Sequence, residues 1–345
     1  GATAEGLFGQ VPVRIALKNS VAESQATLGS RNDAAAHIRS REAIVNLDYG
    51  EVSQNKKTAI TFADENILAP MRHTWWAAAN STPAPYVFNG ERALCLDDSK
   101  LAIDKLMRHP ADSPVAFFGQ RIEVDGTVLD VAMNNDIGRN VAIVGPANAS
   151  ITLANALKSL SLQPHGSEVE VIVLDFLRVN KQWEATRERL YSDLTQSGIS
   201  VRLIEPEEAN TALTELAERA EASQPRSTPL RTTYVLGLGM ERLHDAFRLP
   251  DLCRNGPGHG IHILGWWMKA DAFNEQVGYG GSAYFDVKAA YGLDTQTTRR
   301  FLDEPLLDWR PRANRMIVWD SAVMPAPVRV IPYTRYPGTT EEFDN

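Results

Sequence analysis

The sequence of 345 residues carries a formal charge of −8, with 35 Lys and Arg against 43 Asp and Glu; that balance excludes broad non-specific affinity for nucleic acid, which is built from cations that neutralise phosphates, and leaves room only for a local basic strip. Two cysteines, Cys95 and Cys253, frame neither a disulfide scaffold nor a structural zinc site, so a reducing cytoplasm is the expected setting. No apolar run approaches the roughly 20 residues of a membrane span and no signal-peptide pattern opens the chain, so no membrane insertion is expected in this segment.

The chain opens Gly1-Ala2-Thr3 without an initiator Met and reads as a segment of a longer protein, its length fitting one large domain with an appendage or two domains. Arg14–Leu28 reads as a strand followed by a short helix, and a helix is expected around Trp75 and Trp76. Asn80 to Gly90, with two prolines and several turn formers, breaks any periodic element and is the linker candidate. From about residue 115, short β-rich runs alternate with helical stretches, which predicts an α/β fold: a mostly parallel sheet covered by helices. The expected strands are Val115–Phe118, Val128–Met133, Val141–Val144, Val169–Leu174, Ser200–Ile204, Thr233–Leu236 and Ile261–Leu264. The expected helices are Ile151–Leu160, Lys181–Gln196, Pro206–Ala222 and Met240–Phe247.

The stretch from Asn140 to Thr152 carries a phosphate-loop frame with altered residues. A buried strand runs into Gly145 and then a helix, and Gly145 and Thr152 stand seven apart as in G-x-x-x-x-G-K-S/T. Such a loop needs its second glycine so that backbone N–H groups close on the phosphates, and its lysine to neutralise them. Ser150 and Ile151 occupy those two places. Thr152 keeps the hydroxyl that would meet magnesium, but an isoleucine supplies no positive charge for phosphoryl transfer. The segment therefore reads as a nucleotide-hydrolase fold that has lost hydrolysis.

An internal repeat is the second signal. Arg14 set on Lys288, a shift of 274, aligns Arg14–Leu28 with Lys288–Leu302 without a gap and brings Arg41 onto Arg315 and Ala43–Val45 onto Ile317–Trp319.

These residues resemble the FtsK/SpoIIIE family of P-loop motors, in the HerA–FtsK group. Gly256-Pro-Gly-His-Gly260-Ile-His262 is similar to the family's G-x-x-x-G-I-H strand; Arg14–Leu17, Glu23-Ser24, Leu28-Gly29 and Glu42–Asn46 are similar to its C-terminal tail. The resemblance implies a RecA-like P-loop fold with helices on both faces of the sheet and an N-terminal β/α segment. It divides the chain into residues 1–65 as the tail of a preceding motor unit, 66–114 as a helical linker, and 115–345 as a degenerate second unit. It is distantly similar to the tandem EccC ATPases of type VII secretion.

Departures from the family fall where catalysis would sit. An acidic Walker B pair is replaced by Gly237 and Leu238, with Glu241 the first charge beyond, and the sensor strand that should continue toward Thr-Gln-Arg holds Gly265-Trp266-Trp267-Met268. The resemblance so implies a catalytically degenerate domain of a bacterial translocase that moves DNA or a secretion substrate, acting as a structural or partner-binding module without cofactor. The alternative is an ATP- and magnesium-binding domain completed in trans by a neighbouring subunit. Partners expected are the parent's other motor domains, a peptide or protein, and DNA through the assembly. Ile151, Trp266, Trp267 and Met268 are expected together at an apolar former phosphate site, where the indoles either anchor a partner or fill the vacated space. His259 and His262 lack a carboxylate or second thiol at ligand spacing, so no metal is expected. Asp175, just past a strand end, is either a ligand contact or a turn cap.

Overall fold

The computed structural model describes residues 10–79, 90–123, 126–177, 181–222 and 231–339. They fall into two units, Gly1–Pro85 and Tyr86–Asn345. In the small unit β1 (Arg14–Leu17), β2 (Glu42–Asn46) and β3 (Asn55–Ala59) pair antiparallel in that order. Helix α1 (Val21–Leu28) starts on a capping box: the Glu23 N–H donates to the Ser20 hydroxyl at 3.3 Å, and the Ser20 N–H donates to the Glu23 carboxylate at 3.1 Å. Leu28, Ala35, Ile38 and Ile44 form its core. Arg14 is buried beside them because its guanidinium donates to the Leu28 carbonyl at 2.7 Å. Helix α2 (Glu65–Ala78) buries none of its residues.

The large unit opens with α3 (Lys100–Leu106) and continues through β4 (Val115–Arg121), β5 (Val128–Ala132), β6 (Val141–Val144), α4 (Ser150–Ser161), β7 (Glu168–Asp175), α5 (Lys181–Gln196), β8 (Ser200–Ile204), α6 (Ala209–Ala222) and β9 (Arg231–Leu238). It ends with α7 (Leu249–Asn255), β10 (Ile261–Trp267), α8 (Ala270–Val277), β11 (Val287–Tyr291), α9 (Thr295–Leu302), β12 (Met316–Asp320) and β13 (Val328–Pro332). Ten strands form one sheet in the order β5-β4-β13-β12-β11-β6-β10-β9-β7-β8, parallel from β11 through β8 and antiparallel at the other end. Strand β6 sits between β11 and β10, with β9 and β7 beyond. This is the α/β class that the alternating pattern predicts.

Central parallel strands are covered on both faces, so β6 is buried at every position and its alternate residues feed two cores. Ile143 joins Leu153, Leu157 and Leu190 on the α4 and α5 face; Val144 joins Leu213, Leu252, Phe273 and Phe301 on the α6 to α9 face. Leu94, Leu96 and Leu106 pack with Phe117, Ile331 and Tyr333 in a third cluster.

Two expectations change. The expected helix Met240–Phe247 is only a 3-10 turn over Met240–Arg242. Gly239 and Asp245 take positive φ, and the Gln276 amide donates to the Met240 and Leu243 carbonyls at 2.6 and 2.9 Å, serving acceptors that a helix would satisfy from within. The repeat is also not strictly ungapped. A shift of 274 carries α1 onto α9 and β2 onto β12 residue for residue, but Arg14 opposes Asn46 whereas Lys288 opposes Trp319, so the first strand slides by one. The linker expected at Asn80 to Gly90 lies, apart from Gly90, outside the described residues.

Candidate functional site

Ligands of open α/β sheets bind beyond the carboxyl ends of the parallel strands, here the ends of β6, β10, β9 and β7. The loop from Gly145 to the start of α4 stands at the centre of that edge. Gly145 has φ 136°, and a Cβ there would fall 2.0 Å from the Tyr291 carbonyl oxygen, so the loop passes only as glycine. Its N–H donates to the Trp267 carbonyl at 2.8 Å, Ala147 N–H donates to the Tyr291 carbonyl at 3.3 Å, and the Trp266 indole donates to the Gly145 carbonyl at 2.9 Å. The loop is stitched to both neighbouring strands.

A helix N-terminus leaves N–H donors that a phosphate could meet. Here Asn148 takes one of them: its side-chain carbonyl accepts the Ser150 N–H at 3.0 Å, and also the Ser150 hydroxyl at 2.7 Å. Ser150 is fully buried, and Ile151 belongs to the core on the α4 face. Thr152 donates its hydroxyl to the Tyr333 carbonyl at 2.9 Å, which commits it to the end of β13. Asn155, one turn on, donates to the Arg335 carbonyl at 2.9 Å and accepts Leu96 N–H at 3.2 Å.

Gly237 and Leu238 end β9. Leu238 is fully buried, and a Cβ on Gly237 would lie 2.5 Å from the Met240 sulfur, so an acidic side chain there requires Met240 to move. The first carboxylate beyond, Glu241, accepts the Met268 N–H at 3.0 Å and ties the end of β10 to the turn after β9. Met268 itself is half-buried against the α4-face core. Asp175 accepts the Trp183 indole N–H at 2.7 Å and the Leu177 N–H at 3.1 Å, with Arg187 at 3.5 Å. Of its two readings, the turn cap is the one these bonds build.

Trp266 and Trp267 do not share a site, which corrects the expectation of four apolar residues gathered at the phosphate loop. Successive side chains of a strand point to opposite faces. Trp266 and Ile151 lie on the α4 face, whereas Trp267 is fully buried on the other, with Phe273 edge-on at 5.0 Å, Phe285 at 6.0 Å and Gln276 accepting its indole N–H at 2.7 Å. Gly265 accommodates this ring, which lies 2.4 Å from where its own Cβ would be.

His262 is buried, its Nδ1 2.9 Å from the Arg139 carbonyl and its ring stacked on Tyr234. Burial pushes its pKa down to about 4, and burial pushes the Cys253 thiol well up. Among the described residues no group of three His, Cys, Asp or Glu could hold a metal. Two features escape sequence reasoning. Asn148 carried a usable signal, since an Asn in a turn two residues before a helix start caps its own backbone. Arg139, which binds both Asp320 oxygens at 2.8 and 2.9 Å in the interior, has its partner 181 residues away and no local trace.

No protein-family model matches this sequence, and no curated protein is similar to it. Among solved structures it is similar to the cytoplasmic domain of the Thermomonospora curvata type VII secretion ATPase EccC, at 14% identity over 75% of this chain and 32% of that one, with a TM-score of 0.46. Thermomonospora curvata EccC (ATPases 2 and 3), in complex with a signal sequence peptide, gives 12% identity over 93% and 58%, with a TM-score of 0.48. EssC (ATPases 2 and 3) from Geobacillus thermodenitrificans gives 13% over 73% and 48%, with a TM-score of 0.45. The chain spans between about a third and three fifths of the length of these proteins.

Proposed function

We propose that this chain is a catalytically degenerate motor-like domain of a larger bacterial ATP-driven translocase, in which it serves as a structural or partner-binding module in the cytoplasm. Residues 1–65 are the tail of a preceding unit, residues 66–114 join it, and residues 115–345 form the degenerate one. The observation that carries the reading is Asn148, whose side-chain carbonyl takes the Ser150 N–H and hydroxyl at the start of α4. Ile151, Gly237 and Leu238 support it, because none of them supplies the charge that holds phosphates or magnesium. The Thr152 hydroxyl is spent on Tyr333. A magnesium nucleotide does not suit these residues. The parent's other motor domains are the expected partners; the parent's cargo is DNA or protein.

Phosphate release from ATP, measured on the intact chain with magnesium, tests this. The expected rate is that of buffer. Turnover, or nucleotide binding, that Thr152→Ala abolishes would overturn the degenerate reading and favour a site completed by a neighbouring subunit.

A further inference from the structure

Between α9 and β12 the chain is held by side chains of α9 and β13. Thr295 donates its hydroxyl to the Trp309 carbonyl at 2.9 Å, Arg299 Nε donates to the Leu307 carbonyl at 2.9 Å, and Arg329 Nη2 donates to the Asp308 carbonyl at 2.7 Å. Arg315 donates to the carbonyls of Gly90 and Asn314, and the Trp309 ring is buried in the core. This fixed frame surrounds a cavity of about 400 Å³ walled by Arg310, Arg312, Arg315 and Arg329.

Charge in that cavity is unbalanced. Its one carboxylate, Asp308, is 95% exposed and stands 4.0 Å from Arg329, a pairing that contributes little. Arg310 and Arg312 have no hydrogen-bond or ion-pair partner among the described residues. The guanidinium of Arg315 is held below its usual basicity by burial and by the neighbouring charge of Arg312, against a smaller opposing pull from the Glu91 carboxylate. Trp309 and Ile317 share the core on the α9 face, and Arg329 pairs across from Ile317, so the cavity opens on the face opposite α4. It is separate from the crevice at residues 145–152 and does not rest on the function proposed above.

We propose that this cavity binds a compact oligophosphate, two or three linked phosphate groups whose oxygens meet the guanidinium forks. Guanidinium matches phosphate in a planar, two-point geometry. A volume of about 400 Å³ is of small-ligand size, and a chain of net charge −8 repels an extended polyanion outside the basic pocket. Trp309 is buried, so it presents no face on which a base could stack. Nucleic acid is therefore the disfavoured occupant.

Calorimetric titration of the full chain with inorganic tripolyphosphate, citrate, ATP and a short oligothymidylate tests the site. One tripolyphosphate site is expected, with affinity falling at least about tenfold from low to physiological salt. The double variant Arg310→Ser with Arg312→Ser should weaken binding about tenfold or more while leaving the melting temperature unchanged, because both side chains are exposed. Thr152→Ala should leave it untouched. ATP binding with the same arginine dependence identifies a nucleotide's phosphate tail as a sufficient source; tripolyphosphate binding alone identifies the inorganic chain. Absent heat, citrate binding as tightly, oligothymidylate binding more tightly, or an unaffected double variant would overturn the proposal.

Discussion

Ser20 opens α1 and Asp294 opens α9, each by accepting N–H groups of the first helical turn, and each helix ends on a fully buried leucine, Leu28 or Leu302. A strand precedes both helices and another follows. The surroundings differ: β11 lies between β12 and β6, whereas β1 is an edge strand among the described residues. Ile15 is accordingly 61% exposed, whereas Lys288, its counterpart once the first strand slides by one, is half-buried. Caps and turns are written locally, while burial is assigned by whatever lies alongside. The same strand-helix-strand code can thus serve as an interior or as an edge.

The sharpest way to break the comparison is a charge placed in the interior strand. Ala289→Lys forces an ammonium into the α4-face core and should cost more than about 4 kcal/mol, leaving little folded large unit by circular dichroism. Next in size, Leu302→Ala and Leu28→Ala should each cost about 2–5 kcal/mol, the first loosening amide exchange in β11 to β13 and the second only in β1 to β3. If Leu28→Ala leaves β1 to β3 protected, the buried leucines are not equivalent.

Acid should separate the units further. An ordinary histidine titrates near 6.5, and burial lowers His262 to about 4, so between those values the unfolded chain takes up a proton that the folded one refuses. The contribution is complete above pH 6.5 and is lost as pH falls through the window, reaching about 3 kcal/mol near pH 4. Denaturation curves of His262→Gln should show a flatter dependence there; an unchanged slope would remove His262 as the cause. Ser20→Ala and Asp294→Ala should cost about 1 kcal/mol each, detectable as parallel losses of helix protection. Smallest of all, Ile15→Lys should shift stability by less than about 0.5 kcal/mol in urea titrations, since its side chain already faces water. A larger loss would mean that β1 is covered in solution.

Much of the fold was legible because central strands such as Val141–Val144 are continuous apolar runs between turn signals, and because Gly145 marks its turn. That Ser150, Ile151, Gly237 and Leu238 carry neither a cation nor an acid was plain from residue identity. What fills the loop was not. Asn148 acts through a bond two residues long that competes with many other uses of Asn, and the separation of Trp266 from Trp267 needed the knowledge that β10 runs through both. Met240–Phe247 misled because its carbonyls are served by Gln276, far away in sequence.

The Trp267 ring standing where a side chain on Gly265 would have to be makes these two positions a lock in sequence space. Alanine at 265 collides with the indole while Trp267 is present, yet would help fill the hole once the indole is gone. The same substitution therefore changes sign with its background, and the large residue is the one to give up first.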